Sequence, residues 1–275
     1  MDCVLDLDLD FFVWPVRIGP CEGGRLPDAD CRHLASAEEV RSFLESRCGL
    51  SSTSRLPGRE FSDHVDAFKT WHEWLSRGSI SSPFDVVHID AHADLGAGVN
   101  LSLAYLDELL ARPLSSRSDP SFGDRSLNCG NYLLGALANH WVHSLTYVYP
   151  TAPQTQQPNS LDHESAVQME RIRRFLNSGT DEPEPLPVRD LPAACFRDCD
   201  PRTNEIQLKG YKREEYGKSN PVPFCVEPTV PFRLVPASNF QVTVFTHMTV
   251  ARSPQYTPRR ADRLLPVIRE YFDPT

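Results

Sequence analysis

The chain reads as an α/β protein whose mostly parallel sheet is covered by helices on both faces. Three observations carry that reading. Segments with strand character are separated throughout by segments of helical periodicity, the alternation that parallel sheets require. Two stretches, Leu5-Asp6-Leu7-Asp8-Leu9-Asp10-Phe11-Phe12 and Val87-His88-Ile89-Asp90-Ala91-His92-Ala93-Asp94-Leu95, are apolar at alternate positions, as internal strands are. A length of 275 residues is enough to bury a substantial core.

Residues 3–10 read as the first buried strand, followed by a Gly/Pro-rich loop from Pro15 to Pro27. Ser36-Ala37-Glu38-Glu39 is a capping-box pattern that opens a helix reaching about Cys48, with Gly49 as its stop. Pro57 and Gly58 mark a loop, after which Ser62 or Asp63 caps a helix carrying Val65, Phe68, Trp71 and Leu75, ended by Gly78. Val86 to Asp90 is the second strand. Leu103, Leu106, Leu109 and Leu110 suggest a short helix, Tyr132 to Ala138 another, and Leu145 to Tyr149 a strand stopped by Pro150. Between 151 and 240 the runs Thr151 to Asn159 and Asp181 to Pro187 read as loops, with an exposed helix from Leu161 to Leu176 between them. Nothing periodic covers Leu191 to Pro236, and a long irregular stretch in a compact domain reads as a covering segment or as disorder. Gln241 to Val250 is a β-branched strand. Thr257 caps a last helix with Pro258 at its first position and Leu264, Leu265, Val267, Ile268, Tyr271 and Phe272 on its buried face. The whole, 1–275, is one domain with a Pro-rich covering insertion at about 151–240.

Composition excludes several classes. With 28 basic and 37 acidic residues the net charge is −9, which argues against a nucleic-acid protein and suits a cationic substrate. No apolar run approaches the length of a membrane span. Met1 is followed at once by Asp2 and strand-like sequence, which leaves no room for a signal peptide, so a cytoplasmic location is expected. The eight cysteines then read as reduced thiols. Cys195 and Cys199 form a C-x3-C pair with no second pair of matching spacing, which argues against a zinc knuckle.

The chemistry lies in the carboxylates. In an extended strand Asp6, Asp8 and Asp10 share one face at roughly 7 Å spacing, an arrangement that strand propensity and like-charge repulsion both oppose. No Lys or Arg is interleaved to compensate them, so bound cations are the economical solution. Ligands of open parallel sheets sit beyond the carboxyl ends of the strands, where Asp8 and Asp10 of the first stretch meet Asp90, His92 and Asp94 of the second if the two strands are neighbours. Carboxylates with a little imidazole and no thiolate favour Mn²⁺ over zinc, and the number of ligands suits two ions better than one.

Asp90-Ala91-His92-Ala93-Asp94 resembles the signature of the arginase/agmatinase (ureohydrolase) superfamily, whose other ligand pair is a strand-borne Asp-x-Asp. Ser62-Asp63-His64 is similar to the turn that supplies the family's remaining His. The Asp-x-Asp strand follows the other motif in ordinary arginases but opens this chain. That order, with Ser253-Pro254-Gln255-Tyr256-Thr257-Pro258, resembles the peptide arginases, which convert arginine to ornithine within ribosomally made precursor peptides. The resemblance covers roughly residues 2–14, 60–150 and 241–272. It implies an arginase/deacetylase-like three-layer α/β/α fold with permuted chain order, and two Mn²⁺ per chain. His64, Asp90 and Asp94 would hold one ion, His92 and Asp10 the other, and Asp8 and Asp90 would bridge. Asp6 and His88 lie one step deeper; Asp6 is expected behind the ligands, with an Asp6/Asp8 register as fallback, and His88 as a hydrogen-bonded core residue. The implied reaction is hydrolysis of the guanidinium of a peptidyl arginine to ornithine and urea. Gly130-Asn131 resembles the Gly-Asn of the arginase substrate loop, but Leu133 stands where a His is expected. His140 is then the candidate proton donor, and Glu227 or Asp6 the candidate carboxylate against the guanidinium. A metal-dependent deacetylase of the same fold and a catalytically silent binding protein are the competing readings.

Overall fold

The computed structural model describes residues 1–17, 20–21, 23–95, 101–118, 127–151, 199–200, 205–215, 222–241 and 244–275. The strands are β1 (Cys3–Asp8), β2 (Val13–Trp14), β3 (His33–Leu34), β4 (Leu56–Phe61), β5 (Phe84–Ile89), β6 (Val142–Tyr149), β7 (Cys199–Asp200), β8 (Glu205–Ile206), β9 (Lys209–Gly210), β10 (Cys225–Val226), β11 (Val230–Pro236), β12 (His247–Ala251) and β13 (Phe272–Pro274). The α-helices are α1 (Ala37–Ser46), α2 (Asp66–Arg77), α3 (Leu101–Leu110), α4 (Tyr132–Ala138) and α5 (Leu265–Ile268).

Among the described residues nine strands form the main sheet, in the order β13-β4-β12-β1-β5-β6-β11-β8-β7. Every pairing from β13 to β11 is parallel, and only the β8 and β7 edge runs antiparallel. Strand alternation divides the apolar side chains between two cores. Leu5 and Leu7 of β1 and Val87 and Ile89 of β5 face α1 and the C-terminal helices; Val4, Phe84 and Val86 face α2, α3 and α4. Helices thus cover both faces of the sheet. Asp6 and Asp8 of β1 and His88 of β5 lie on the α2–α4 side, because they alternate with the Leu, Val and Ile residues of the other core.

Several elements differ from the sequence expectation. The first strand stops at Asp8, not at residue 10. The Asp8 side chain accepts the Asp10 N–H and caps a 3₁₀ turn, Leu9–Phe12, which swings Asp10 off the strand face. Pro57 and Gly58 lie inside β4 rather than in a loop, because a strand squeezed between two neighbours needs the space that Gly58 leaves. The strand expected from Gln241 begins only at His247. Thr257 caps no helix; its hydroxyl donates to the carbonyls of Arg252 and Ser253, and a 3₁₀ helix, Arg259–Leu264, precedes the short α5. The expected covering segment is also shorter, since β11 pairs in parallel with β6 and belongs to the sheet. The helix expected at Leu161–Leu176, and Cys195, lie outside the described residues. The capping box at Ser36 and Glu39 forms as read, both hydrogen bonds being present. Among the described residues no helix is long and apolar enough to cross a membrane.

Candidate metal centre

Strands β1 and β5 are parallel neighbours, with Asp6 level with His88 and Leu7 level with Ile89. That register brings Asp8, at the end of β1, beside Asp90, just past the end of β5. The 3₁₀ turn supplies Asp10, the loop after β5 supplies His92 and Asp94, and the turn before α2 supplies His64. Every carboxylate is buried, as is His64; His92 is the most exposed of the group.

Two clusters share one residue. Nδ1 of His64 lies 3.0 Å from an Asp8 oxygen, 3.0 Å from an Asp90 oxygen and 3.2 Å from an Asp94 oxygen. Nδ1 of His92 lies 3.0 Å from Asp10 and 3.5 Å from the other Asp90 oxygen. Asp8, His64 and Asp90 form one group with metal-ligand spacing and Asp10, Asp90 and His92 another, while His88, Asp90 and Asp94 also approach closely. The sequence reading made both Asp8 and Asp90 bridges. In the structure Asp90 stands in both groups, whereas Asp8 stands only in that of His64, because its second oxygen is taken by the Asp10 N–H.

The proton positions follow from the partners. Nε2 of His92 lies 2.6 Å from the carbonyl oxygen of Arg17, which can only accept, so Nε2 carries a proton and Nδ1 is the nitrogen left to serve as a ligand once a cation displaces the proton that Asp10 favours there. Nε2 of His64 lies 3.2 Å from Asp6 and donates to it, which leaves Nδ1 facing three carboxylates; these favour the imidazolium, and Nδ1 becomes a ligand when a cation displaces its proton. His88 differs: Nδ1 faces Asp6 at 3.1 Å and Nε2 faces the His92 carbonyl at 3.0 Å, so both nitrogens donate.

Asp6 sits behind this array. It accepts from the hydroxyls of Tyr132 and Thr249 as well as from the two imidazoles, and it is fully buried. Burial opposes its charged form, but His64 and His88 hold its carboxyl well below the usual range. Burial and the neighbouring charges of Asp8 and Asp90 push Asp10 well above that range. Burial and Asp90 push Asp94 up to about 6. Carboxylates perturbed in opposite directions within one cluster are competing for a limited supply of positive charge.

Three buried polar atoms here make no hydrogen bond of good geometry, Asp10 Oδ2, His64 Nδ1 and Asp90 Oδ2, although His64 Nδ1 and Asp90 Oδ2 face each other at 3.0 Å and Asp10 Oδ2 faces His92 Nδ1 at 3.0 Å. Buried groups are rarely left so, and all three belong to the two groups around Asp90. Carboxylate oxygens and imidazole nitrogens converging without a thiolate fit a divalent cation. The buried Asp and His residues can hold a metal ion.

The other site expectations fare differently. Glu227 and His140 lie at the far end of α4, where His140 precedes β6 at the amino edge of the sheet. His140 Nε2 and Glu227 are 2.5 Å apart, and Arg117 binds the other Glu227 oxygen at 2.8 Å. They form an ion-pair cluster outside the carboxylate site, buried at Arg117 and Glu227 and open to solvent at His140, which corrects their assignment as catalytic candidates. Asp6, the third candidate, is enclosed behind His64, where all its oxygens are engaged. Asn131 is fully buried, its side-chain oxygen accepting the Asn128 N–H at 2.8 Å, with Gly130 half-buried beside it; both shape the turn into α4. Leu133 is a core residue. The residues missed from sequence are Tyr132, Thr249, Ser253 and Tyr256. Ser253 donates to Asp8, and the Tyr256 ring packs on His92 with centroids 4.9 Å apart. The run Ser253 to Pro258 was the signal available for the last two.

A scan against protein-family models finds no match for this chain, and a search of curated proteins finds none either.

Proposed function

We propose that the chain is a binuclear manganese hydrolase that acts on the guanidinium of arginine residues in a peptide, leaving ornithine and releasing urea. The observation that carries this reading is the pair of ligand groups sharing Asp90, with three buried atoms aimed into them that make no well-formed hydrogen bond. His64, Asp8, Asp90 and Asp94 would hold one Mn²⁺, and Asp10, His92 and Asp90 the other. When bound, such ions acidify a shared water toward neutrality, which supplies a nucleophile for hydrolysis. The chain's own residues fix the ligands. Asp6 and the Arg17 carbonyl orient the imidazoles of His64 and His92. The reaction consumes one water, breaks one C–N bond of the guanidinium and places a proton on the departing amine.

Three features support this class. The Asp-x-His-x-Asp and Asp-x-Asp segments are neighbours in a parallel sheet, the residues resemble the peptide arginases, and the net charge of −9 favours a cationic substrate. A single-zinc deacetylase needs only two Asp and one His, which leaves the Asp10–His92 group without a task. A cytoplasmic location suits the free thiols of Cys3, Cys21, Cys31, Cys48, Cys129 and Cys225. The partner would be an arginine-containing, ribosomally made precursor peptide.

The test is mass spectrometry of arginine peptides incubated with the Mn²⁺-loaded protein, alongside a urea assay. Conversion of arginine to ornithine, with peptide preferred over free arginine, is the expected result. Acetate release from an acetyl-lysyl peptide instead would assign the chain to the deacetylases. Full metal uptake without turnover of any guanidino compound would make it a binding protein.

A further inference from the structure

We propose that the turn Ser253–Thr257 is a clamp that positions both halves of the metal centre, Ser253 through Asp8 and Tyr256 through His92. This rests on the metal reading above and assigns it two further positioning residues.

The turn follows β12, whose last residue, Ala251, is level with Asp8 on β1. Ser253 adopts the left-handed region at φ 41°, a conformation that residues with a Cβ rarely take. Surrounding hydrogen bonds hold it there. Its N–H donates to the Ser62 carbonyl at 3.1 Å, and its own carbonyl accepts from the N–H groups of Tyr256 and Thr257 and from the Thr257 hydroxyl. The conformation aims the Ser253 hydroxyl at Asp8 Oδ2, the oxygen that faces His64. With the Asp10 N–H on the opposite oxygen, the Asp8 carboxylate is fixed at both ends. Ser62, which receives the Ser253 N–H, lies two residues before His64, so one residue ties down two members of the same group.

The other arm reaches the second group. Tyr256 lays its ring against His92, on the imidazole whose Nε2 is held by Arg17. Its hydroxyl end neighbours the Cys129 thiol. Cys129 leads directly into α4 and Tyr132, whose hydroxyl meets Asp6. The loop after β2 braces the turn from outside, through Cys21 N–H to the Gln255 carbonyl at 3.1 Å and Leu26 N–H to the Pro254 carbonyl at 3.2 Å. One rigid turn therefore contacts ligands contributed by separate segments, which is what holding a fixed ion–ion spacing demands.

The experiment is Mn²⁺ titration of the full chain by calorimetry and EPR, with His64→Ala and His92→Ala identifying the two halves. Ser253→Gly removes the hydroxyl while relieving the left-handed strain, so the two effects offset and the metal-free unfolding midpoint should stay near that of the wild type. It should weaken binding at the His64 half by about 10–100-fold, the range for groups that orient ligands. Tyr256→Ala should do the same at the His92 half, and Tyr256→Phe, which keeps the ring, should bind close to wild type. Unchanged binding in Ser253→Gly and Tyr256→Ala overturns the clamp. Equal loss of both ions with a lowered midpoint also overturns it, since that describes a packing role. A wild-type chain that takes up no divalent cation overturns the metal reading and the clamp together.

Discussion

Nε2 of His64 stands 3.2 Å from a carboxylate oxygen of Asp6, and that contact decides which nitrogen of the ring faces Asp8, Asp90 and Asp94. The carboxylate is not itself directed at the cluster. Its oxygens are consumed by two imidazoles and two hydroxyls, so its influence passes through His64 and His88.

Asp6→Asn should therefore lower metal affinity by about 10–100-fold although Asp6 holds no ion. An amide offers one acceptor oxygen where the carboxylate offers two, and its NH₂ must face a donor. Leaving one buried donor unpaired costs about 1–3 kcal/mol of stability. Mn²⁺ titration and denaturant unfolding of the same variant measure both effects. Wild-type affinity in Asp6→Asn would show that His64 keeps its orientation without help.

Glu227 provides a contrast at the opposite edge of the sheet. Burial alone would raise its carboxyl, but hydrogen bonds from Arg117, Cys225 and His140 outweigh burial and hold it down at about 2, against an ordinary value of 4.5. A depressed carboxyl stabilises the fold fully above its ordinary value and loses that contribution as pH falls toward the folded value. Glu227→Ala should thus cost about 3 kcal/mol at neutral pH, through an Arg117 left buried without its counter-charge. The gap from wild type should narrow below pH 4.5 and approach zero near 2. Urea midpoints across that range follow it, and Mn²⁺ content should not change.

The carboxylate array was legible because strand alternation is local: Leu5, Leu7, Val87 and Ile89 announce one face and the Asp and His residues the other. The α1 helix was legible for the same reason, its capping box lying within four residues. The Glu227–Arg117 pair was not, since 110 residues separate its members and neither has a local signal. Strand β11 was masked by Pro231 and Pro236, and β4 by Pro57 and Gly58. Proline and glycine report local backbone preference, whereas these strands are fixed by what flanks them. Asp10 was placed on the wrong element because the turn that carries it is made by the Asp8 side chain, a contact that alternation alone does not reveal.

Gly58 makes that flanking constraint measurable. A Cβ there would lie 2.8 Å from the Met248 carbonyl oxygen on β12 and 2.8 Å from the Phe272 ring on β13. One of those neighbours is backbone in a central strand and has little room to yield. Gly58→Ala should cost about 1–3 kcal/mol, visible as a lowered thermal midpoint. An unchanged midpoint would mean that β4 is held less tightly than its neighbours imply.

Asp90 is the residue on which the two-ion reading turns. One of its oxygens lies 3.0 Å from His64 Nδ1; the other accepts the His92 N–H at 2.6 Å and lies 3.5 Å from His92 Nδ1. Asp94, by contrast, faces His64 and His88 and is absent from the Asp10–His92 group. If both groups hold an ion, Asp90→Ala should weaken both and abolish magnetic coupling between two Mn²⁺. Asp94→Ala should weaken only the ion on the His64 side. Elemental analysis after gel filtration, with EPR of the retained metal, separates the cases. Asp90→Ala should fall from two equivalents toward none, while Asp94→Ala retains about one, as expected when one carboxylate is shared by both ions and the other is not. A wild-type stoichiometry near one, unaltered in Asp10→Ala, would leave a single ion in the His64 group and remove the basis for a binuclear hydrolase.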